Sequence, residues 1–216
     1  AYDQILHDVC IQRLPVVFAV DRAGIVGHDG PTHQGIFDLS YLRQMPNMVV
    51  MAPAEEQQLP GMLDTALSVG SPVALRYPKA CCAAFSTGDD YDTIPLGKGS
   101  ILRPGHDLYL VGIGSMVAPC LEAAELLLRK GVEAGVIDAR FVKPLDTDLL
   151  AAAAEETGLL VTVEENVLAG GFGSAVREAL TNGGPQRRSR ENGPPPGGLN
   201  FIRCLGIQQP PLEHGD

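Results

Sequence analysis

The sequence has no long hydrophobic run. None of its apolar stretches approaches the ~20 consecutive residues that a membrane-spanning helix needs. Its first fifteen residues include Asp3, His7 and Asp8, where a secretory signal peptide would be apolar. We therefore expect a soluble, unsecreted protein without a membrane partner, located in the cytoplasm, or in a plastid if its source is a plant or an alga.

CxxC motifs and an excess of positive charge are also missing. The cysteines show no CxxC spacing, so we expect neither a disulfide framework nor a zinc site. They are Cys10, Cys81, Cys82, Cys120 and Cys204, of which the adjacent pair is interpreted as ordinary loop thiols. The net charge of −10 and the pI of about 4.9 disfavour nucleic acid as a partner, because phosphate binding requires a basic surface.

Short apolar runs rich in β-branched residues alternate with longer segments of helical period. This alternation is typical of parallel α/β proteins. The predicted strands cover residues 15–20, 48–53, 72–77, 107–113, 133–139, 159–165 and 200–206. The predicted helices cover residues 1–14, 33–44, 55–69, 116–130, 147–157 and 174–182. Because the chain starts on a helix, where a parallel sheet would start on a strand, we expect residue 1 to lie inside a domain.

Local signals refine three of these helices. The first should bury one face formed by Ile5, Leu6, Val9 and Cys10. The third contains Pro60-Gly61, and because an interior proline costs about 3 kcal/mol, a kink or break is expected there. The fifth should end at Gly158.

The composition divides the chain into two α/β domains in series. Residues 1–80 form the first, the small and polar segment 81–94 is the predicted linker, and residues 95–216 form the second. An insert at 183–198, "GGPQRRSRENGPPPGG", has the composition of a disordered surface loop. We interpret its basic run as solvated.

Two glycine motifs are weak candidates for cofactor binding. "VGIGSMVAP" resembles the start of a dinucleotide fingerprint, with Asp138 ending the next strand, but Val117 occupies the third glycine position and an ordinary turn is favoured. "AGGFGS" at 169–174 lacks the Lys-Ser/Thr of a nucleotide loop, so turn and packing roles are favoured. Glu164 and Glu165 beside it are interpreted as surface residues by default, with a functional or interface role left open.

The segment "DRAGIVGHDGPTHQG" at 21–35 is a stronger candidate, because it follows a predicted strand and gathers chemically active side chains. Loops at the carboxyl ends of parallel strands bind ligands. Asp29 beside His33 suits proton transfer, since a carboxylate raises the basicity of an imidazole and orients it. Arg22 and Arg76 end neighbouring predicted strands, and together they suit an anion held by forked hydrogen bonds.

"DRAGIVGHDGPTHQGIFDLSYLRQMPNMVVMAPA" closely resembles the pyrimidine-binding domain of the 1-deoxy-D-xylulose-5-phosphate synthase family, thiamine-diphosphate enzymes of the transketolase superfamily. The resemblance continues through "PVALRYPK", "VIDARFVKPLD" and "VTVEENVLAGGFGSAV" to "LEHG". It implies a partial pyrimidine-binding domain followed by a transketolase-type carboxyl-terminal domain. It also implies the family's reaction, in which pyruvate condenses with glyceraldehyde 3-phosphate, carbon dioxide is released, and the condensation product supplies the non-mevalonate isoprenoid pathway.

The same resemblance assigns roles to individual residues. It places His33 and Asp29 near the reacting carbon and the thiazolium ring, and it makes Arg22 and Arg76 the ligands of the acceptor's phosphate. Thiamine diphosphate and Mg2+ are the implied cofactors, and a homodimer is the implied assembly. Because the family's amino-terminal domain with its metal and diphosphate motif is not in this sequence, we expect most cofactor ligands to lie outside this chain, assign no residue here to cofactor binding, and expect no activity from these residues alone.

Two alternatives remain open at the level of sequence. A β-type subunit of a 2-oxo acid dehydrogenase joins the same two domains, although the segment from Arg22 to His33 argues against it, since a lipoyl acceptor has no phosphate. A non-catalytic interaction module built on the second domain would assemble without any dependence on cofactor.

Overall fold

The computed structural model describes residues 1–27, 30–79, 93–182 and 201–208. Several sequence-based predictions lie outside these residues. They concern Asp29, Cys81, Cys82, most of the linker at 81–94 and the insert at 183–198.

Nine strands and six α-helices are present in the described part of the chain. The strands are β1 (Val17–Val20), β2 (Val49–Met51), β3 (Val73–Arg76), β4 (Ser100–Arg103), β5 (Leu108–Gly112), β6 (Ala134–Asp138), β7 (Phe141–Lys143), β8 (Leu159–Val167) and β9 (Phe201–Ile207). The helices are α1 (Tyr2–Gln4), α2 (Asp38–Leu42), α3 (Gln58–Ser68), α4 (Val117–Leu128), α5 (Thr147–Thr157) and α6 (Phe172–Asn182). A π-helical segment, Ile5–Cys10, continues α1, and 3-10 turns cover Pro31–His33 and Gly114–Met116.

The strands form two sheets. The first has the order β1-β3-β2-β7, in which β1, β2 and β3 are parallel and β7 is antiparallel. The second has the order β4-β6-β5-β8-β9 and is parallel except for β4. The prediction of two successive α/β sheets is therefore confirmed. The two antiparallel edge strands were not predicted, and β7 joins the first sheet although it follows the second sheet's β6 in the chain.

Most predicted helices form, with three corrections. The face of the first helix is confirmed, since Ile5, Leu6 and Val9 are partly buried and Cys10 is fully buried. However, this segment is mostly π-helical. The predicted helix at 33–44 is reduced to α2, because the chain around Gly35 is extended and pairs with another loop. α3 starts only at Gln58, so Pro60 lies in its first turn, where no intrahelical donor is required, and the predicted kink is wrong.

α5 covers 147–157 as predicted. Gly158 ends it in the left-handed conformation with φ of 73°, and the side chain of Asp146 caps its start by accepting a hydrogen bond from the Leu149 amide. None of the helices in the described residues is both long and apolar enough to cross a membrane.

The two sheets share one hydrophobic core. A single buried cluster contains Leu39, Val50 and Ala74 from the first sheet and its helix together with Val111 and Phe172 from the second. Polar contacts cross the same boundary. The guanidinium of Arg43 forms a bidentate pair with Glu178, with distances of 3.0 and 2.7 Å, and the side-chain oxygen of Asn166 accepts a hydrogen bond from the Leu39 amide. The relative position of the two sheets is therefore fixed by apolar and polar contacts together.

Glu164 is buried at the start of α6. Its Oε2 accepts a hydrogen bond from the Phe172 amide at 2.7 Å, and its Oε1 accepts one from the Gly173 amide at 2.8 Å. A helix leaves such amides without intrahelical partners. Burial raises the pKa of the Glu164 carboxyl from 4.5 to about 7, against the opposing effect of the two amides and of nearby arginines. The default interpretation of Glu164 as a surface residue is therefore wrong.

We predict that Glu164→Gln changes the pH dependence of stability. The folded-state pKa of about 7 lies above the ordinary 4.5, so the folded protein binds this proton more tightly than the unfolded chain does. The wild type should therefore lose stability as the pH rises between these two values, by roughly 3 kcal/mol in total. Glutamine does not titrate, so the variant should lack this decline.

Urea midpoints of both proteins between about pH 4 and about pH 8 would test this. The matched control is Glu155→Gln, which removes a carboxylate from the exposed side of α5 and should leave the pH profile unchanged. A difference in urea midpoint between wild type and Glu164→Gln that stays constant over this pH range would contradict the prediction.

Candidate functional site

The candidate site lies at the carboxyl edge of the first sheet. β1 and β3 are parallel neighbours, and Val20, the last residue of β1, is paired with Arg76, the last residue of β3. Arg22 follows two residues after β1. The two predicted anion ligands therefore start from the same sheet edge, as expected from their places at strand ends.

Two glycines join the loop after β1 to the loop before α2. The Gly24 amide donates to the Gly35 carbonyl at 2.9 Å, and the Gly35 amide donates to the Gly24 carbonyl at 2.9 Å. A Cβ atom on Gly35 would lie 2.0 Å from the carbonyl oxygen of Arg22. Only glycine permits this approach, so the segments "DRAG" and "GPTHQG" are held against each other.

The side chain of Gln34 binds the backbone at two described positions between these glycines, Val26 and Gly30. Its Oε1 accepts a hydrogen bond from the Val26 amide at 2.6 Å, and its Nε2 donates to the Val26 carbonyl at 2.8 Å and to the Gly30 carbonyl at 3.4 Å. His33 lies in the 3-10 turn between these anchors, with its imidazole exposed and its Nδ1 3.1 Å from the Thr32 hydroxyl. The accessible imidazole of His33 therefore belongs to a segment whose backbone accepts hydrogen bonds from, and donates one to, the Gln34 side chain.

Arg76 lies beneath these loops, with only 1% of its side chain exposed. Its Nη2 donates to the carbonyl oxygens of Gly35 at 2.7 Å and Glu165 at 3.4 Å. Its Nε lies 3.5 Å from Asp38 Oδ2, and its Nη1 lies 3.5 Å from Glu165 Oε1. The guanidinium therefore connects the strand end, the second glycine loop and β8.

Arg22 is much more accessible than Arg76. Its backbone adopts the left-handed conformation, with φ of 59°. Its side chain is 36% exposed, and its Nη1 lies 2.9 Å from Asp21 Oδ2. Of the predicted site residues, Arg22, His33 and Arg76 are thus brought to one sheet edge through the paired glycine loops, and Asp29 lies outside the described residues.

Sequence reasoning missed the acidic partners of Arg76. Asp38 opens α2, and its Oδ1 accepts a hydrogen bond from the Tyr41 hydroxyl at 2.9 Å. Burial, and then the neighbouring Asp38 carboxylate, raise the pKa of Tyr41, which keeps the phenol as a donor. The spacing of Asp38 and Tyr41 along one helix face was a signal that these two side chains interact. The contact of Arg76 with Glu165 had no such signal, because the two residues are distant in the chain.

The two weak glycine motifs serve packing, in keeping with the sequence interpretation. A Cβ atom on Gly112 would lie 2.9 Å from the Cα of Val117, and one on Gly171 would lie 2.2 Å from Glu164 Oε2. The start of α6, considered above as a phosphate cradle, holds the protein's own Glu164 carboxylate.

Asp138, at the position of a possible ribose ligand, is fully buried. Its Oδ2 accepts a hydrogen bond from Gln58 Nε2 at 2.8 Å, and its Oδ1 accepts one from the Arg140 amide at 3.0 Å. Burial raises the pKa of its carboxyl to about 6. Within residues 1–27, 30–79, 93–182 and 201–208, no group of three or more His, Cys, Asp or Glu side chains is arranged to hold a metal ion.

Comparison with known proteins gives two family matches. Residues 1–83 match the pyrimidine-binding domain of transketolase, and residues 97–195 match the C-terminal domain of transketolase. A solved structure described as "Split gene transketolase, inactive beta4 tetramer" superposes with a TM-score of 0.84 at 32% identity, covering 99% of this chain and 64% of the other.

Curated relatives carry the name 1-deoxy-D-xylulose-5-phosphate synthase. The protein of Pelotomaculum thermopropionicum is 50% identical over 216 residues, which are 100% of this chain and 32% of the relative. That of Heliobacterium modesticaldum is 52% identical over 215 residues, covering 100% of this chain and 31% of the relative. The chain thus spans about a third of the length of these relatives. It belongs to the transketolase family, of which it carries a pyrimidine-binding domain followed by a C-terminal domain.

Proposed function

We propose that the chain is part of a thiamine-diphosphate-dependent synthase that condenses pyruvate with glyceraldehyde 3-phosphate. The products are 1-deoxy-D-xylulose 5-phosphate, which feeds the non-mevalonate isoprenoid pathway, and carbon dioxide. The names of relatives about half identical to the chain support this proposal. The observation that carries it is the reciprocal hydrogen bonding of Gly24 and Gly35, because it joins the loop of Arg22 to the loop of His33.

In this proposal the arginines bind the acceptor's phosphate and His33 transfers a proton. Arg22 is the more accessible of the two arginines, with about a third of its side chain exposed. The contact of Arg76 with phosphate stays a prediction, since its guanidinium already has two carboxylates and two carbonyls as partners. His33 would protonate or deprotonate an acceptor oxygen, with Asp29 proposed to orient its imidazole.

The family resemblance implies that the ligands of Mg2+ and of the diphosphate belong to the amino-terminal domain, and the described residues contain no group of three or more His, Cys, Asp or Glu side chains arranged to hold a metal ion. We assign those ligands to residues outside this chain and derive no step through the cofactor. The inactivity of the β4 tetramer named in the related transketolase structure supports the expectation that these 216 residues alone have no turnover. The homodimer expected from the family stays a prediction.

We predict that this chain alone binds thiamine diphosphate weakly or not at all. The reason is that the described residues offer no cluster of ligands for the metal that would accompany the diphosphate. Calorimetric titration of the chain with the cofactor and Mg2+ measures this directly. Micromolar binding would show that the cofactor site had been misplaced.

A second prediction concerns Arg22 and His33 in the complete enzyme, with the amino-terminal domain supplied. Arg22→Ala removes charge-assisted hydrogen bonds that contribute about 1.5 to 3 kcal/mol. It should therefore lower kcat/KM for glyceraldehyde 3-phosphate roughly 10- to 150-fold and change kcat/KM for unphosphorylated glyceraldehyde little. His33→Ala should lower both, because either acceptor requires the proton.

Thermal melts of each variant are the control for folding. Arg76→Ala is a poorer test of phosphate binding, because it would leave Asp38 and Glu165 without their buried cation. If Arg22→Ala loses equal factors with both acceptors, the phosphate assignment is wrong. That result would indicate that Arg22 serves the structure or the cofactor instead.

A third prediction concerns the paired loops. Gly35→Ala places a Cβ 2.0 Å from the Arg22 carbonyl, and overpacking of this kind costs about 1 to 3 kcal/mol or more. We expect a lower Tm and a loss of kcat/KM with both acceptors, because the segments "DRAG" and "GPTHQG" are forced apart. Gly27→Ala in the same loop is the matched control, since a Cβ there meets no atom within 4 Å. Equal activity of the two variants would contradict the proposed role of the loop pairing.

A further inference from the structure

Glu165 is a partly buried acidic residue at the site that the proposed reaction does not use. It lies near the carboxyl end of β8, in the second sheet, and 17% of its side chain is exposed. It contacts Arg76 twice, because its carboxylate Oε1 lies 3.5 Å from Nη1 and its carbonyl accepts a hydrogen bond from Nη2 at 3.4 Å. The second sheet therefore supplies both a charge and a backbone acceptor to the arginine beneath the site.

The same carboxylate also packs against the first glycine loop. A Cβ atom on Gly24 would lie 2.1 Å from Glu165 Oε2 and 2.5 Å from Glu165 Cδ. Gly24 has φ of 79°, so both its conformation and its surroundings require glycine. The carboxylate thus lies between Arg76 and the loop that carries Arg22.

The regular pairing of β8 ends at Val163, and Glu165 lies in the register shift that precedes Val167. Successive side chains of a strand point to opposite faces of the sheet. Glu164 faces α6, where two amides hold its carboxylate, and Glu165 faces the first sheet's loops. Beyond it, the Val167 amide donates to the Ile36 carbonyl at 2.8 Å and holds the backbone against the first domain.

We propose that Glu165 is a positioning residue through which the C-terminal domain sets the geometry of the acceptor site. Its carboxylate holds the guanidinium of Arg76 and limits the movement of the Gly24 loop, so that Arg22 is presented in a fixed orientation. The inference rests on the proposed function for the identity of the acceptor, whereas the contacts themselves do not depend on it.

A competing role for Glu165 has the opposite consequence. If its carboxylate only competes with the substrate's phosphate for Arg76, then removing the charge frees the guanidinium and strengthens phosphate binding. A positioning role requires that the same change weakens it. The sign of the effect of Glu165→Gln therefore separates the two roles.

The experiment compares Glu165→Gln with Glu178→Gln in the complete enzyme. Both variants remove one carboxylate of the C-terminal domain that pairs with an arginine of the first domain, but Glu178 pairs with Arg43 away from the glycine loops. Hydrogen exchange of the Gly24 and Gly35 amides, which bond each other's carbonyls, measures loop opening without reference to activity. Values of kcat/KM for glyceraldehyde 3-phosphate and glyceraldehyde measure how loop opening affects the use of each acceptor.

We expect Glu165→Gln to accelerate exchange of both amides at least about tenfold and to lower kcat/KM for the phosphorylated acceptor by about tenfold through KM. Glu178→Gln should do neither. Exchange rates equal to those of Glu178→Gln, or a higher kcat/KM, would overturn the inference. Faster exchange with equal losses for both acceptors would support the positioning role and instead refute the phosphate assignment of the proposed function. If Glu165→Gln does not fold, Glu165→Asp, which keeps the charge and shortens its reach, is measured against the same criteria.

Discussion

The geometry of the candidate site depends on one buried cation, the guanidinium of Arg76. It is 1% exposed and lies among two carboxylates and two backbone carbonyls. A cation so buried is tolerable only when paired and hydrogen-bonded, since its desolvation penalty is several kcal/mol. The surrounding groups must therefore occupy these positions whenever Arg76 does. The end of β3, the loop at Gly35, the start of α2 and the end of β8 are consequently linked through one side chain.

Arginine suits this position better than lysine would. Its planar fork directs five N–H donors along fixed lines, whereas an ammonium is a point charge with three donors. Here Nε, Nη1 and Nη2 each face a different set of acceptors. Asp38 has a further donor in the Tyr41 hydroxyl, so part of the surplus negative charge is balanced by hydrogen bonding. The network specifies where the loops lie, and it does so across the boundary between the two sheets.

Much of the fold could be predicted from local sequence, and the acidic partners in the site could not. The hydrophobic runs located β1, β2 and β3, and Gly158 located the end of α5, because period and left-handed turns are properties of a few neighbouring residues. β4 and β7 were missed because each contains only two consecutive apolar residues, a run too short to indicate a strand. The partners of Arg76 were missed for another reason: Glu165 is distant in sequence, and a buried ion pair leaves no local pattern. The helix predicted over residues 33–44 failed where Gly35 pairs with Gly24, a tertiary contact that overrides helix propensity.

The structure also shows that groups suited to anion binding already have partners within the protein. The start of α6 has the amides and glycines of a phosphate cradle, but Glu164 already accepts from both Phe172 and Gly173. Arg76 has a cationic fork, but Asp38 and Glu165 flank it. Arg22 is more accessible, with 36% of its side chain exposed, and its Nη1 lies 2.9 Å from Asp21 Oδ2. The adjacent residues Glu164 and Glu165 therefore have related physical roles on opposite faces of β8. The carboxylate of Glu164 fixes the start of α6, and that of Glu165 lies against Arg76 and the loop at Gly24.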